Sequence, residues 1–315
     1  MSSGRAVPPT GPPPTSSGQE VLMKDQTRIK RAIRKTTIIV NSRDRNLLGY
    51  PNSNNFRYIF KRPLTNVSSI ELIDGSIPIR LYTINTGWNK FTFREGTTNY
   101  NITIPVGFYN EETLRAQLEA LLNAISGSGY TVTLSALTGK LTIVSSKGSA
   151  FAFLFYSGDF HDDIDLNTRA VTSINTPARQ LGFGLNDYTS DSAFTITAPL
   201  PMDLNNFLNR IYIHVNANNN QDLHRMEVSN GRIDCFHVVF IDPRIPNTTP
   251  TPGSTDLTPD YYYLDKETNF PLFESSPAPM ARLATLEFSF RDEFYRLVDF
   301  QHREVNLVFE ITHLE

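Results

Sequence analysis

One cysteine, Cys235, stands in 315 residues, so no disulfide framework can form within the chain. Scarce cysteine suits a reducing compartment. There is no apolar run long enough to cross a bilayer. The opening MSSGRAVPPTGPPPTSSG lacks the apolar stretch of an export signal, and Ser2 excludes a myristoylation site. The sequons at Asn66, Asn101 and Asn247 are therefore read as chance occurrences in an Asn-rich chain. No G-x-S-x-G, no phosphate loop and no dinucleotide fingerprint occurs. The six histidines show neither H-E-x-x-H nor H-x-x-x-H spacing. The net charge of -3 excludes a polyanion binder acting with its whole surface.

Charge is unevenly placed. Residues 1–35 carry seven basic and two acidic side chains, or +5, which leaves -8 for the remainder. Residues 1–20 are Pro/Ser/Gly-rich and cannot bury a core. In 21–35, Val21, Leu22, Ile29 and Ile33 are set among basic residues. That pattern fits either a solvated tether or a short basic helix on a partner surface. The division expected is an N-terminal arm over 1–35 and a β-sandwich region over 36–315, as one sandwich or two split near 190. Arg28, Lys30, Arg31, Arg34 and Lys35 are its candidate contacts, with acidic protein, an inner membrane surface or nucleic acid as alternatives.

From Thr36 onward, β-branched and aromatic runs alternate with Asn, Asp, Ser, Gly and Pro breaks, which predicts an all-β fold. Strands are expected at Ile38–Val40, Phe56–Lys61, Ile70–Ile73 (closed by Pro78), Leu81–Ile84, Phe91–Phe93 and Tyr100–Ile104. One helix is expected. Asn110 caps it, Tyr109 and Leu114 have staple spacing, and Leu114, Leu118, Leu121, Leu122 and Ile125 form its apolar stripe. Gly127 is expected to stop it in the left-handed conformation. A hairpin follows at Tyr130–Leu134 and Lys140–Val144, then strands at Phe151–Tyr156, Phe194–Thr197, Arg210–Asn216 and Ile233–Ile241. Residues 242–282 read as a long loop insertion. Leu283–Arg291 and Val305–Thr312 are expected to pair with each other.

Candidate chemistry is sparse. Asp159, Asp162, Asp163 and Asp165 offer oxygen ligands, but their spacing is not that of an EF-hand, and a solvated acidic loop competes with metal binding. Cys235 and His237 share a strand face, which does not by itself activate a thiol. Tyr261-Tyr262-Tyr263 in the long loop suggests ring stacking on sugars. Neither a cofactor nor a small-molecule substrate is expected, and no residue is singled out as catalytic.

The order of motifs is distinctive: IIVNSRDRN, YPNSNNFRYIFKRPLTNVSSIELIDGSIP, YTINTGWNKFTF, YNITIPVGFYNEETLRAQLEALLNA, YTVTLSALTGKLTIVSS, LGFG and LATLEFSFRDEFYRLVDFQHREVNLVFEI. From Thr36 to the C-terminus this resembles the minor capsid proteins of large nucleocytoplasmic double-stranded DNA viruses. The resemblance implies a jelly-roll-like β-sandwich with no catalytic residues, located in the virion and assembled in the host cytoplasm. Implied partners are the major capsid protein, other minor capsid proteins and further copies of the chain. The 242–282 insertion and Asp292-Glu293-Phe294, where the family commonly has an Asp-Gly turn, depart from the pattern. A carbohydrate- or receptor-binding module of a spike or fibre is the alternative.

Overall fold

The computed structural model describes residues 32–79, 81–164, 171–204, 210–218, 221–223, 226–227, 234–241, 261–264, 272–275 and 278–314. It is mostly antiparallel β, with a single α-helix among the described residues. The expectations for residues 1–31 and 242–260 concern positions outside these.

β1 (Ile33–Asn41) ends in a 3₁₀ turn at Ser42–Asp44. β2 (Asn55–Pro78) is one strand of 24 residues where the sequence suggests two. Pro63, which cannot donate to a ladder, is accommodated because the β2 register jumps between Leu64 and Ile59. β3 (Lys90–Glu95) and β4 (Thr98–Thr103) form a hairpin around Gly96, φ +57°. The helix α1 (Glu111–Ser126) starts as expected from Asn110, whose Oδ1 accepts from Thr113 N–H while Thr113 Oγ1 accepts from Asn110 N–H. It stops at Gly127 with φ +80° but ψ 166°, so the stop is not the left-handed cap expected.

β5 (Tyr130–Leu134) and β6 (Leu141–Ser145) make the expected hairpin, with Gly139 at φ +65°. β7 (Phe151–Leu154) follows, then two-residue β8 (Asp163–Ile164) paired with β9 (Val171–Ser173), then β10 (Asp187–Thr189) and β11 (Thr195–Thr197). β12 (Arg210–Ala217) returns to the first sheet, flanked by β13 (Gln221–Asp222). β14 (Met226–Glu227), β15 (Asp234–Cys235) and β16 (His237–Phe240) precede β17 (Tyr261–Leu264) and β18 (Leu272–Glu274). The last two lie in the expected loop insertion, but they are strands added to β2. β19 (Met280–Arg291) and β20 (Asn306–Leu314) close the chain.

Two further expectations fail. Leu81–Ile84 is not a strand; Ile84 makes only an isolated bridge to Gly107, and Thr83 O is taken by the Trp88 indole N–H at 3.1 Å. β19 and β20 do not pair, because β2 lies between them in the order β1-β20-β2-β19-β12-β13.

β2 divides its ladder. Residues up to Val67 pair with β19, and residues from Val67 to Ser76 pair with β20, with register shifts at Val67/Ser69 and Leu72/Asp74. Shifts of this kind bend a strand. The consequence is visible in the core. Phe309 of β20 lies 6.0 Å from Phe236, beside β16, and 5.6 Å from Phe288 of β19. In a flat sheet β20 and β16 would be four strand steps apart, ~19 Å. The sheet therefore folds over on itself as a sandwich, with Phe56, Phe288, Phe290 and Phe309 inside.

A second core is drawn from residues 84–202. Here α1, the β10-β7-β3-β4 sheet and the β11-β6-β5 sheet enclose Phe91, Phe93, Phe151, Phe153, Phe155 and Phe183. The rings of Phe153 and Phe183 stack at 5.5 Å. Residues on both sides of this segment build the first core.

Candidate functional site

Where the two cores meet, a cleft of about 230 Å³ lies between the 81–88 loop and the 292–299 turn. Its centre is Arg296. Its Nε donates to Asp292 Oδ2 at 2.9 Å, and its Nη1 donates to Ile174 O in the second core. The guanidinium also lies over Trp88, 4.9 Å from the ring centroid, and Phe294, 5.3 Å. Asp292 is buried, and its Oδ1 accepts from the N–H groups of Phe294 and Arg296, both at 2.9 Å. Asp292 thus fixes the turn after β19, and Arg296 carries that turn across to the second core. Burial and the neighbouring Asp292 charge push the Glu293 carboxyl up, against the pull of Arg179, Arg210 and Arg296. Asp292 and Arg296 are engaged in holding the junction together. None of these groups is placed as a nucleophile with an adjacent base.

The acidic cluster does not converge. Asp159 Oδ2 accepts from Asn101 Nδ2 at 2.8 Å, while Asp163 lies exposed near His161, 3.7 Å away. Asp162 turns inward instead. It is 2% exposed, and its Oδ1 accepts from Asn175 N–H at 2.7 Å and Thr176 N–H at 2.8 Å. Asp165 lies outside the described residues. Among the described residues no group of three metal-binding side chains forms.

Burial, above all, pushes the Asp162 carboxyl above its ordinary value of 3.8, the two backbone donors opposing it. The folded state therefore holds this proton more tightly than the unfolded chain. The stabilisation from that proton is complete below pH 3.8 and is lost as pH rises through the raised value. Asp162→Asn keeps the Oδ1 acceptor and removes the charge, so its stability should be equal to or above wild type at pH 7, with a flatter acid profile. Asp162→Ala leaves both amides without an acceptor and should cost about 2–3 kcal/mol. Urea unfolding at several pH values checks both; a large loss in the Asn variant would refute the assignment.

The other candidates fall in different places. Arg34 and Lys35 belong to β1, opposite His313 and Thr312, and the Lys35 ammonium pairs with Glu310. Arg28, Lys30 and Arg31 lie outside the described residues. Tyr261, Tyr262 and Tyr263 pair with Pro78, Ile77 and Ser76 of β2. Tyr262 packs on the first core, while Tyr263 is 69% exposed on the opposite face. Strand alternation thus separates the rings and leaves no continuous stacking platform of three. Cys235 is buried, and burial pushes the His237 imidazole below its ordinary value, so it is neutral near pH 7.

One surface feature carries no sequence motif. After β1 the chain makes a loop whose tip, Leu48, is 99% exposed, beside Leu47 at 63%. The loop is held from beneath by Arg45, whose side chain is 4% exposed. Arg45 Nη1 reaches Glu304 Oε2 at 2.7 Å and Ser42 O at 2.7 Å. Its Nε donates to Tyr50 O at 2.9 Å and its Nη2 to Pro51 O at 3.1 Å. Asn46 closes the tip, its carbonyl accepting from Gly49 N–H and Tyr50 N–H. Only the buried arginine in SRDRN could have signalled this, and its partner is 259 residues away.

A family model described as a family of unknown function (DUF5901) matches residues 27–182, just under half of the chain. No curated protein matches. Among solved structures, the chain is similar to the selenomethionine-labelled mavirus penton protein, with 11% identity and a TM-score of 0.37 over 90% of this chain and 100% of that one. It is also similar to a chain in the 3.5 Å cryo-EM structure of the Sputnik virophage, with 9% identity and a TM-score of 0.34 over 89% of this chain and 98% of that one.

Proposed function

We propose that this chain is a non-enzymatic structural component of an icosahedral virus particle. In this reading it is a minor capsid protein that bridges or cements capsomers. Its sandwich surfaces and N-terminal arm would contact the major capsid protein and other minor capsid proteins. The chain would be located in the virion after assembly in the host cytoplasm. The observation that carries the reading is the pair Leu47–Leu48, held out into solvent on a loop fixed by the buried Arg45 side chain and its pairing with Glu304. Apolar side chains presented rigidly at a surface suit burial against a partner. The ordered series of motifs from Thr36 to the C-terminus supports the same reading.

The test uses purified particles. Leu48→Asp is expected to reduce the copy number of this chain several-fold, because burying an unpaired carboxylate is costly. Its thermal midpoint should remain at the wild-type value, since Leu48 touches no core. Deleting residues 1–31 should also lower incorporation. The cut must stop there, because Ile33, Arg34 and Lys35 supply ladder partners to β20. Wild-type copy number in both variants, or absence of the chain from particles, would defeat the proposal.

A further inference from the structure

The molecule treats its strand edges unequally. The outer edge of β5 is covered by side chains of α1. Asn123 accepts from Tyr130 N–H and donates to Tyr130 O, both at 2.9 Å. Glu119 accepts from Val132 N–H at 2.9 Å, and Arg115 donates to Val132 O at 2.8 Å. Such cover prevents another chain from adding to the edge. β1 is treated otherwise. It is the terminal strand of the largest sheet, and no strand of the described residues pairs with its outer side. Its core sequence TTIIV has high β propensity.

One bond sets the hydrogen-bond phase of β1. Ser42 N–H donates to Val305 O at 2.9 Å, continuing the register in which Asn41 faces Asn306. In an antiparallel pair, alternate residues bond to the partner. Val40, Ile38, Thr36 and Arg34 therefore point their backbone groups at β20. Asn41, Ile39, Thr37, Lys35 and Ile33 point theirs outward. The same outward-bonding residues carry their side chains on the solvent face, where Ile33 and Ile39 are each 71% exposed.

We propose that β1 is the docking edge for a second copy of this chain, pairing antiparallel with its own β1 about a two-fold axis at Thr37. That register joins outward-bonding residues only: Thr37 with Thr37, Lys35 with Ile39 and Ile33 with Asn41 of the other copy. Each exposed Ile39 then lies against the alkyl stem of a Lys35 whose ammonium is already paired with Glu310. The two Lys35 residues end ~14 Å apart along the strands, so the basic ends do not meet. Self-complementarity of face and hydrogen-bond phase, with no like charges opposed, points to a second copy as the occupant. The inference does not depend on the particle reading, since any role leaves this edge the same.

Sedimentation of the full-length chain over a concentration series tests it. Wild type should show a monomer–dimer equilibrium. Thr37→Pro removes an outward N–H at the axis and no bond to β20, so it should remain monomeric with an unchanged far-UV spectrum. Ile39→Lys leaves the backbone intact and sets two like charges opposite Lys35. It should raise the dimer Kd by ~10-fold or more, and it decides the matter if the proline variant folds poorly. A wild-type chain that stays monomeric throughout, or an Ile39→Lys variant that dimerises as well as wild type, overturns the proposal. The first of these results would leave the edge to a different chain or to none.

Discussion

Arg45→Ala should lower the free energy of unfolding by about 3–5 kcal/mol, because three loop carbonyls and a carboxylate lose the buried donor they share. Arg45 is nearly inaccessible, and Glu304 is 31% exposed on its open side. Removing the guanidinium strips Glu304 of its counter-charge and leaves the carbonyls of Ser42, Tyr50 and Pro51 without their donor. It also frees the Leu47–Leu48 tip, so incorporation into particles should fall along with stability. Glu304→Gln keeps an acceptor for Arg45, and the carbonyls of Ser42, Tyr50 and Pro51 still hold the guanidinium, so it should be the milder lesion. The measurement is a urea midpoint at constant m-value, comparing Arg45→Ala with an exposed control such as Arg43→Ala. A loss near that of the control would mean that Arg45 is not what fixes the loop.

The sequence reveals local structure well and the joins between elements poorly, for definable reasons. The helix over Glu111–Ser126 is legible because its cap, its acidic first turn and its apolar stripe lie within one short window. The β5–β6 hairpin is legible because Gly139 marks a turn between two alternating runs. The separation of β19 from β20 is not. Each has clean alternation, and the segment between them resembles a hairpin connection, yet β2 is long enough to pair with both and takes the place between them. Continuity of β2 is masked by Pro63, which reads as a break and is in fact accommodated at a register jump. The tyrosine run looks like loop decoration because Pro and Thr surround it, and only pairing with β2 sorts its rings onto opposite faces. Among the aspartates, composition alone cannot tell Asp162, turned into the protein, from Asp159 and Asp163 at the surface. The Arg45–Glu304 anchor joins residues near the two ends of the chain, beyond the reach of any local pattern.

Phe309→Ala is expected to cost about 3–5 kcal/mol, and it tests the folded-over sheet directly. Phe309 is fully buried and meets Phe288 and Phe236 across the sandwich. The decisive measurement is a double-mutant cycle of Phe309→Leu with Phe236→Leu. Rings 6.0 Å apart should couple by about 0.5–1.5 kcal/mol. In a flat sheet the same residues would be ~19 Å apart and their effects would simply add. Phe309→Leu with Phe183→Leu serves as the reference, because those residues belong to different cores and should be additive. Coupling in the first cycle and none in the second would mean that β2, by giving each half of its length to a different layer, produces the sandwich that carries both the β1 edge and the Leu47–Leu48 tip. Additivity in both cycles would remove the physical basis for a rigid body able to present either one.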